Sequence, residues 1–251
     1  MATTSSEPLP LGEVFNFRDL GGHETVDGRK IRTGRVFRAD GLHRLQRPDR
    51  VVLDELQLRN VIDLRTPAEV EEWGHAPSEV TGATVHHLPM IVTTWNREDV
   101  DDATDAAAFL AGKYRQMLDE GSTTIATSLR LIADEGQHGV VFHCAAGKDR
   151  TGVLAAIVLG LCGVPDDTLA ADFGATAPAM ERMRAWYYEH HPERREIMAQ
   201  QPPAFAGCPP EAMHQFLGHL RADFGSMEAY VTDVAGLDSA DIDRLRAALR
   251  A

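Results

Sequence analysis

The run Val140-Val141-Phe142, the polar loop His143-Cys144-Ala145-Ala146-Gly147-Lys148-Asp149-Arg150-Thr151-Gly152 and the apolar stretch 153–159 leave this chain few ways to fold. A short apolar run rich in β-branched residues reads as a buried strand, and a longer apolar run reads as a buried helix. The polar residues between them must then form the turn from one to the other. Such a turn gathers backbone N–H groups at the positive end of a helix dipole, which makes a socket for a tetrahedral oxyanion. Cys144 opens the loop and Arg150 closes it, with five residues between them. A thiolate is stabilised by the amides and cations of such a setting. Arg150 brings a planar fork able to grip two oxygens of one phosphate. A nucleophile, an amide cradle and a bidentate cation together describe phosphoryl transfer through a cysteinyl-phosphate.

Strand and helix patterns alternate along the chain, predicting an α/β architecture with a central, mainly parallel sheet flanked by helices. Strands are expected at 34–38, 60–64 and 84–88, and helices at 50–58, 106–118 and 123–133. Thr66-Pro67-Ala68-Glu69 has the form of a capping box with proline at the first helical position, so a helix should begin there. Segment 93–105 is polar and acidic and reads as a mobile surface stretch. The C-terminal part reads as helical, at about 178–191, 210–222, 226–235 and 239–250. Residues 1–12 are expected to be a flexible lead and 13–251 a single domain, with no internal repeat.

Charge and cysteine usage narrow the function. The 25 Lys and Arg against 38 Asp and Glu give a net charge of −13, which would repel a nucleic-acid backbone. No apolar stretch approaches the roughly 20 residues a membrane helix requires. The first residues lack the basic and apolar regions of a signal peptide, so a cytoplasmic location is expected. The three cysteines, Cys144, Cys162 and Cys208, do not make a disulfide framework. Neither His86-His87 nor His190-His191 has the spacing of a helical metal site, and the loop departs from a nucleotide-binding P-loop, so no metal or cofactor is expected.

His143-Cys144, five residues, Arg150-Thr151 resembles the signature loop of the cysteine-dependent protein tyrosine phosphatases. With Lys148 and Asp149 it is similar to an atypical bacterial subgroup that acts on phosphotyrosine, phosphoserine or phosphothreonine, and phosphoinositides. Asn16-Phe17-Arg18-Asp19-Leu20-Gly21-Gly22 resembles that subgroup's N-terminal signature, and 61–65 and 224–230 also look like it. The resemblance implies a cysteine phosphatase-like fold and a phosphoric monoester hydrolase. Cys144 is then the nucleophile, and Ala145, Ala146, Gly147, Lys148, Arg150 and Thr151 bind the phosphate. His143 would fix the loop by hydrogen bonds, and the Thr151 hydroxyl would stabilise the departing thiolate.

The general acid stays open between Asp149, which the subgroup's pattern implies, and Asp63, at the carboxyl end of its strand; Asp99, Asp101 and Asp102 are weaker candidates. Lys148 would add a rim cation, and Gly-Lys and Asp-Arg-Thr resemble lipid phosphatase loops, so the substrate is a phosphorylated protein or a phosphoinositide. Asn16 to Gly22 reads foremost as an anchor of the N-terminus, with an arginine–aspartate pair. Trp186-Tyr187-Tyr188, with Met180 and Met183, reads as helix packing or as a patch at the pocket mouth. A phospho-ligand binding module, a sulfur-transfer enzyme and an arsenate reductase using Cys162 or Cys208 remain as rivals, and the oligomeric state is not readable.

Overall fold

The computed structural model of the protein describes residues 8–95, 100, 105–135 and 138–251. Its sheet has five strands: β1 (Arg18–Asp19), β2 (Val36–Ala39), β3 (Leu58–Asp63), β4 (Thr84–His87) and β5 (Gly139–His143). They lie in the order β1-β2-β5-β3-β4. Only β1 runs antiparallel; β2, β5, β3 and β4 are parallel. The expected mainly parallel α/β architecture is therefore what forms.

Strand periodicity divides the core. Val140 and Phe142 face one way into the larger apolar cluster, together with Val36 and Ile62. Val141 faces the other way, with Phe37 and Val61, into a smaller cluster. Because both faces are covered, β5 is apolar at every position up to His143. Its carboxyl end, and those of β2 and β3, therefore point to one edge of the sheet, where the Cys144 loop begins.

Thirteen α-helical segments surround the sheet among the described residues. Ahead of β5 come α1 (Arg50–Glu55), α2 (Pro67–Trp73), α3 (Ser78–Thr81), α4 (Ala106–Glu120) and α5 (Ser122–Glu135). After it come α6 (Asp149–Leu161), α7 (Asp166–Gly174), α8 (Ala177–His190), α9 (Arg195–Ala199) and α10 (Pro203–Ala206). The chain ends with α11 (Pro210–Phe224), α12 (Met227–Ala229) and α13 (Ser239–Leu249). Helix α6 is apolar on all sides and buried from Arg150 to Leu159, as its sequence requires. The capping box at Thr66 forms: its hydroxyl accepts from the Glu69 amide at 3.3 Å, and the Glu69 carboxylate accepts from the Thr66 amide at 2.8 Å.

Several expectations need correction. The helix expected over 50–58 stops at Glu55, because Gln57 takes a left-handed conformation (φ 49°) that turns the chain into β3. Helix α7 has no counterpart among the expected helices, although Pro165 followed by two aspartates is a helix-start signal. The helix expected over 226–235 becomes one short turn followed by a π-turn over Tyr230–Val234. The ordered body also begins earlier than residue 13. Leu11 is buried in the smaller cluster, the Leu9 amide donates to the Phe17 carbonyl, and the Gly12 amide donates to Asp49. Asp99, Asp101 and Asp102 lie outside the described residues. Among the described residues, no helix is long and apolar enough to cross a membrane.

Candidate active site

The loop from Cys144 to Lys148 leaves β5 and enters α6 with no side chain capping the helix start. Its first-turn donors are therefore open to an anion. The conformation is fixed from outside. At Gly147 (φ +64°) the chain is left-handed, and a β-carbon there would lie 2.5 Å from the Ala39 carbonyl oxygen. The Gly147 carbonyl accepts from Asn16 Nδ2 at 2.9 Å and from an Arg38 terminal nitrogen at 2.7 Å. The Gly41 amide donates to the Ala145 carbonyl at 3.0 Å. With these carbonyls held outward, the loop's shape is set before any ligand arrives.

The Asn16 to Gly22 motif supplies much of this bracing. Arg18 is fully buried, donates to Asn16 Oδ1, and pairs with Asp172 at 3.2 Å. Arg38 joins the other Asp172 oxygen. Burial opposes ionisation of Asp172, but the two arginines more than offset it and hold its carboxyl at about 2. The arginine–aspartate pair expected inside the motif is thus replaced by a pair with α7. Asp19 instead accepts from the Gly21 and Gly34 amides at 2.7 and 2.6 Å.

Cys144 is buried at the start of the loop, and the residues that follow it, Ala145 and Ala146, line a cavity of about 920 Å³ together with Asp149 and Arg150. Arg150 is held end-on by Glu69 of α2, with contacts of 2.5 and 2.8 Å. Burial works against the Arg150 charge, but Cys144, Glu69 and Asp149 keep it firmly protonated. Burial likewise works against Glu69 ionisation, and the bonds and charge of Arg150 outweigh it, leaving that carboxyl below its ordinary value. The sequence presents Glu69 only as a capping residue; nothing local in it tells that the same carboxylate reaches the loop arginine.

Asp149 lies at the start of α6, partly exposed to the cavity, and accepts from the Tyr114 hydroxyl at 2.6 Å. Lys148 is not at the rim. It is buried, with its Nζ 2.8 Å from the Phe205 carbonyl of α10 and 3.4 Å from Asp149 Oδ1. Asp63 is fully buried, and Arg65 holds both its oxygens at 2.9 and 2.6 Å. Burial opposes its ionisation, but His143 and Arg65 win and keep the carboxyl far below the usual carboxylate range. His143 approaches Asp63 at 3.7 Å and bonds the Cys144 carbonyl through Nδ1 at 3.1 Å. Burial lowers the His143 ring below its ordinary value, against the pull of the Asp63 charge. The Thr151 hydroxyl is buried without a hydrogen-bond partner among the described residues.

Burial pushes the Cys162 thiol up to about 12 and the Cys208 thiol to about 11. All three cysteines are free; Cys208 lines the cavity, while Cys162 lies in the core. The far wall carries Met180, Met183, Tyr187 and Tyr188 of α8. Trp186 turns away from the cavity to stack on His190 and face Arg44. Of the aromatic triplet, then, two members meet the cavity and one packs the helix. No group of three or more His, Cys, Asp or Glu residues able to hold a metal occurs among the described residues.

A family model described as the tyrosine phosphatase family matches residues 9–251. The chain is similar to the triple specificity protein phosphatase PtpB of Mycobacterium tuberculosis, 28% identical over 95% of this chain and 98% of that protein. It is also similar to a putative tyrosine-protein phosphatase of Cupriavidus necator, 29% identical over 66% of this chain and 61% of that one. A tyrosine-protein phosphatase of Nostoc commune is 29% identical over 57% of this chain and 49% of its own length.

Proposed function

This chain belongs to the tyrosine phosphatase family and is a phosphoric monoester hydrolase of the protein-tyrosine or dual/triple-specificity kind, and we propose that Cys144 is its nucleophile and Asp149 its acid and base. The carrying observation is that Cys144, Asp149 and Arg150 share one braced loop whose Asp149 and Arg150 line the cavity. The Cys144 thiolate attacks phosphorus as the ester P–O bond breaks, and the departing oxygen takes the proton of the Asp149 carboxyl. Water then attacks the thiophosphate, gives its proton back to Asp149, and the P–S bond breaks to release phosphate and restore the thiolate. Arg150 and the open amides of the loop neutralise the equatorial oxygens in both steps. Glu69 holds the terminal edge of the guanidinium, through both Nη atoms, so that its remaining donors meet phosphate in a fixed direction.

Asp149 takes the acid role in preference to Asp63. A general acid must carry a proton near neutrality and reach the leaving group. Asp63 has neither property: it is an anion locked on Arg65 and has no exposure. Its role is to hold the end of β3 and, with His143, the root of the loop. Lys148 is turned towards α10 rather than towards a second phosphate, so the reading favours phosphoprotein over phosphoinositide as substrate. The apolar wall of α8 suits an aromatic phosphoester. Arsenate reduction is disfavoured because its resolving thiol would be Cys162 or Cys208, both held protonated by burial.

The test is phosphate release in EDTA from a phosphotyrosine peptide, a phosphoserine peptide and a phosphoinositide. Cys144→Ser should abolish release, and Asp149→Ala should lower it by about 10² to 10⁴-fold. Turnover surviving in Cys144→Ser would sink the mechanism, and faster release from the phosphoinositide would overturn the substrate preference.

A further inference from the structure

Tyr114 is fully buried in α4, yet it carries a hydroxyl that the surrounding apolar core does not need. Its ring meets Phe173 edge-on at 5.8 Å and Phe216 edge-on at 6.0 Å, and lies tilted against Trp95 at 6.4 Å. A phenylalanine would fill this place equally well. Among the described residues the hydroxyl has one hydrogen bond, which it donates at 2.6 Å to Oδ1 of Asp149. Lys148 Nζ approaches the same oxygen at 3.4 Å. Two donors from beneath the cavity therefore converge on one oxygen of a carboxyl whose residue lines the cavity.

From this geometry we infer that Tyr114 is a positioning residue for proton transfer: it holds Asp149 Oδ1 and so assigns the travelling proton to Oδ2. The inference rests on the reading of Asp149 as the acid. Burial and the neighbouring Asp149 charge raise the Tyr114 hydroxyl well above its ordinary value, so it stays a donor throughout the cycle. A carboxyl with one oxygen fixed cannot rotate freely, and its protonated oxygen meets the ester oxygen in a constant direction. The same oxygen, as a carboxylate, faces the water that cleaves the thiophosphate. Because three aromatic neighbours clamp the ring, the aim is set by the packing of α4 on α7 and α11.

Aryl phosphates with leaving groups of graded basicity separate positioning from packing. Poor leaving groups need the proton and good ones do not. In Tyr114→Phe, kcat/KM should fall about 10-fold for phenyl phosphate and less than about 2-fold for 2,4-dinitrophenyl phosphate, a fraction of what a whole general acid supplies. Asp149→Asn should show a steeper dependence of the same sign, and adding Tyr114→Phe to it should change nothing further. The dependence is a ratio among substrates on one sample, so partial unfolding does not disturb it, and Tyr114→Met must reproduce it. An equal loss for every substrate, or no loss, would overturn the inference while a steep Asp149→Asn series keeps the acid assignment. A flat Asp149→Asn series would remove the acid assignment and the inference with it.

Discussion

Beneath the Cys144 loop, Arg18, Arg38 and Asp172 are buried and joined to one another, to Asn16 and to the Gly147 carbonyl. Across the same cavity, α8 presents Met180, Met183, Tyr187 and Tyr188, which contribute mainly shape. The first region cannot rearrange without stranding a charge in a low-dielectric interior. The second can repack at small cost, because thioether side chains are flexible and their contacts are non-directional. The chemistry therefore sits on a floor with one stable arrangement, and selection among substrates sits on a wall with several. Damage to the floor should affect all substrates equally; damage to the wall should discriminate among them.

The largest effect is expected where the floor loses its anion. Asp172→Ala leaves two buried arginines sharing no carboxylate, and breaking a buried pair of this kind costs about 3–5 kcal/mol. Urea unfolding should show that loss, and turnover of p-nitrophenyl phosphate and a phosphotyrosine peptide should fall by the same factor. Unequal factors would break the distinction between floor and wall. Next comes Gly147→Ala, where φ is +64° and the new β-carbon meets the Ala39 carbonyl at 2.5 Å. A loop displaced by about 1 Å should lose roughly 10²-fold in kcat for both substrates.

Glu69→Gln tests the direction of Arg150 more gently. The amide keeps the size of the side chain but removes its charge and one of its two acceptors, at a cost of about 1–3 kcal/mol. KM and the inhibition constant of inorganic phosphate should both rise by roughly 10-fold while unfolding changes little. Unchanged phosphate affinity would reduce Glu69 to a helix cap.

Acid acts on a different buried group, near Arg65. Burial, with the charges of Arg44 and Arg65, lowers His43 from its ordinary 6.5 to about 3. A histidine with a lowered folded value binds its proton more readily when unfolded, so its stabilising contribution is present above pH 6.5 and is lost as the pH falls towards 3. Melting temperature should drop over that window, and His43→Gln should flatten the drop. A slope equal to that of the parent would show that His43 does not drive it.

Much of this was legible because it is local. The strand, loop and helix around Cys144 follow from consecutive residues, and the Thr66 box from four of them. What sequence hid depends on contacts between distant segments. Asn16 reaches Gly147 across 131 positions, Arg18 reaches Asp172 across 154, and Arg150 reaches Glu69 across 81. Lys148 misled for a related reason: its neighbours in the loop suggest a cation at the rim, while its true partner, the Phe205 carbonyl, lies 57 residues away. Asp63 sits at the carboxyl end of β3 as expected, but Arg65, two residues on, neutralises it.

The smallest effect should come from the wall, and it is the most discriminating. Met180 is only partly buried at the edge of the larger cluster, so truncating it removes few core contacts. Met180→Ala takes away side-chain surface that a bulky phosphoester would cover, at about 0.8 kcal/mol per methylene-sized group no longer buried. For a phosphotyrosine peptide, kcat/KM should fall by roughly 3- to 10-fold, carried by KM. For p-nitrophenyl phosphate, which has the ring but no peptide to cover the rest of the wall, the loss should be clearly smaller. If both substrates lost equally, the wall would be part of the catalytic frame and α8 would belong with the floor. If neither lost anything, the substrate would leave α8 uncovered, and its approach would have to be sought along the Trp95 and Phe205 side of the cavity, where an aromatic pair stands 6.3 Å apart.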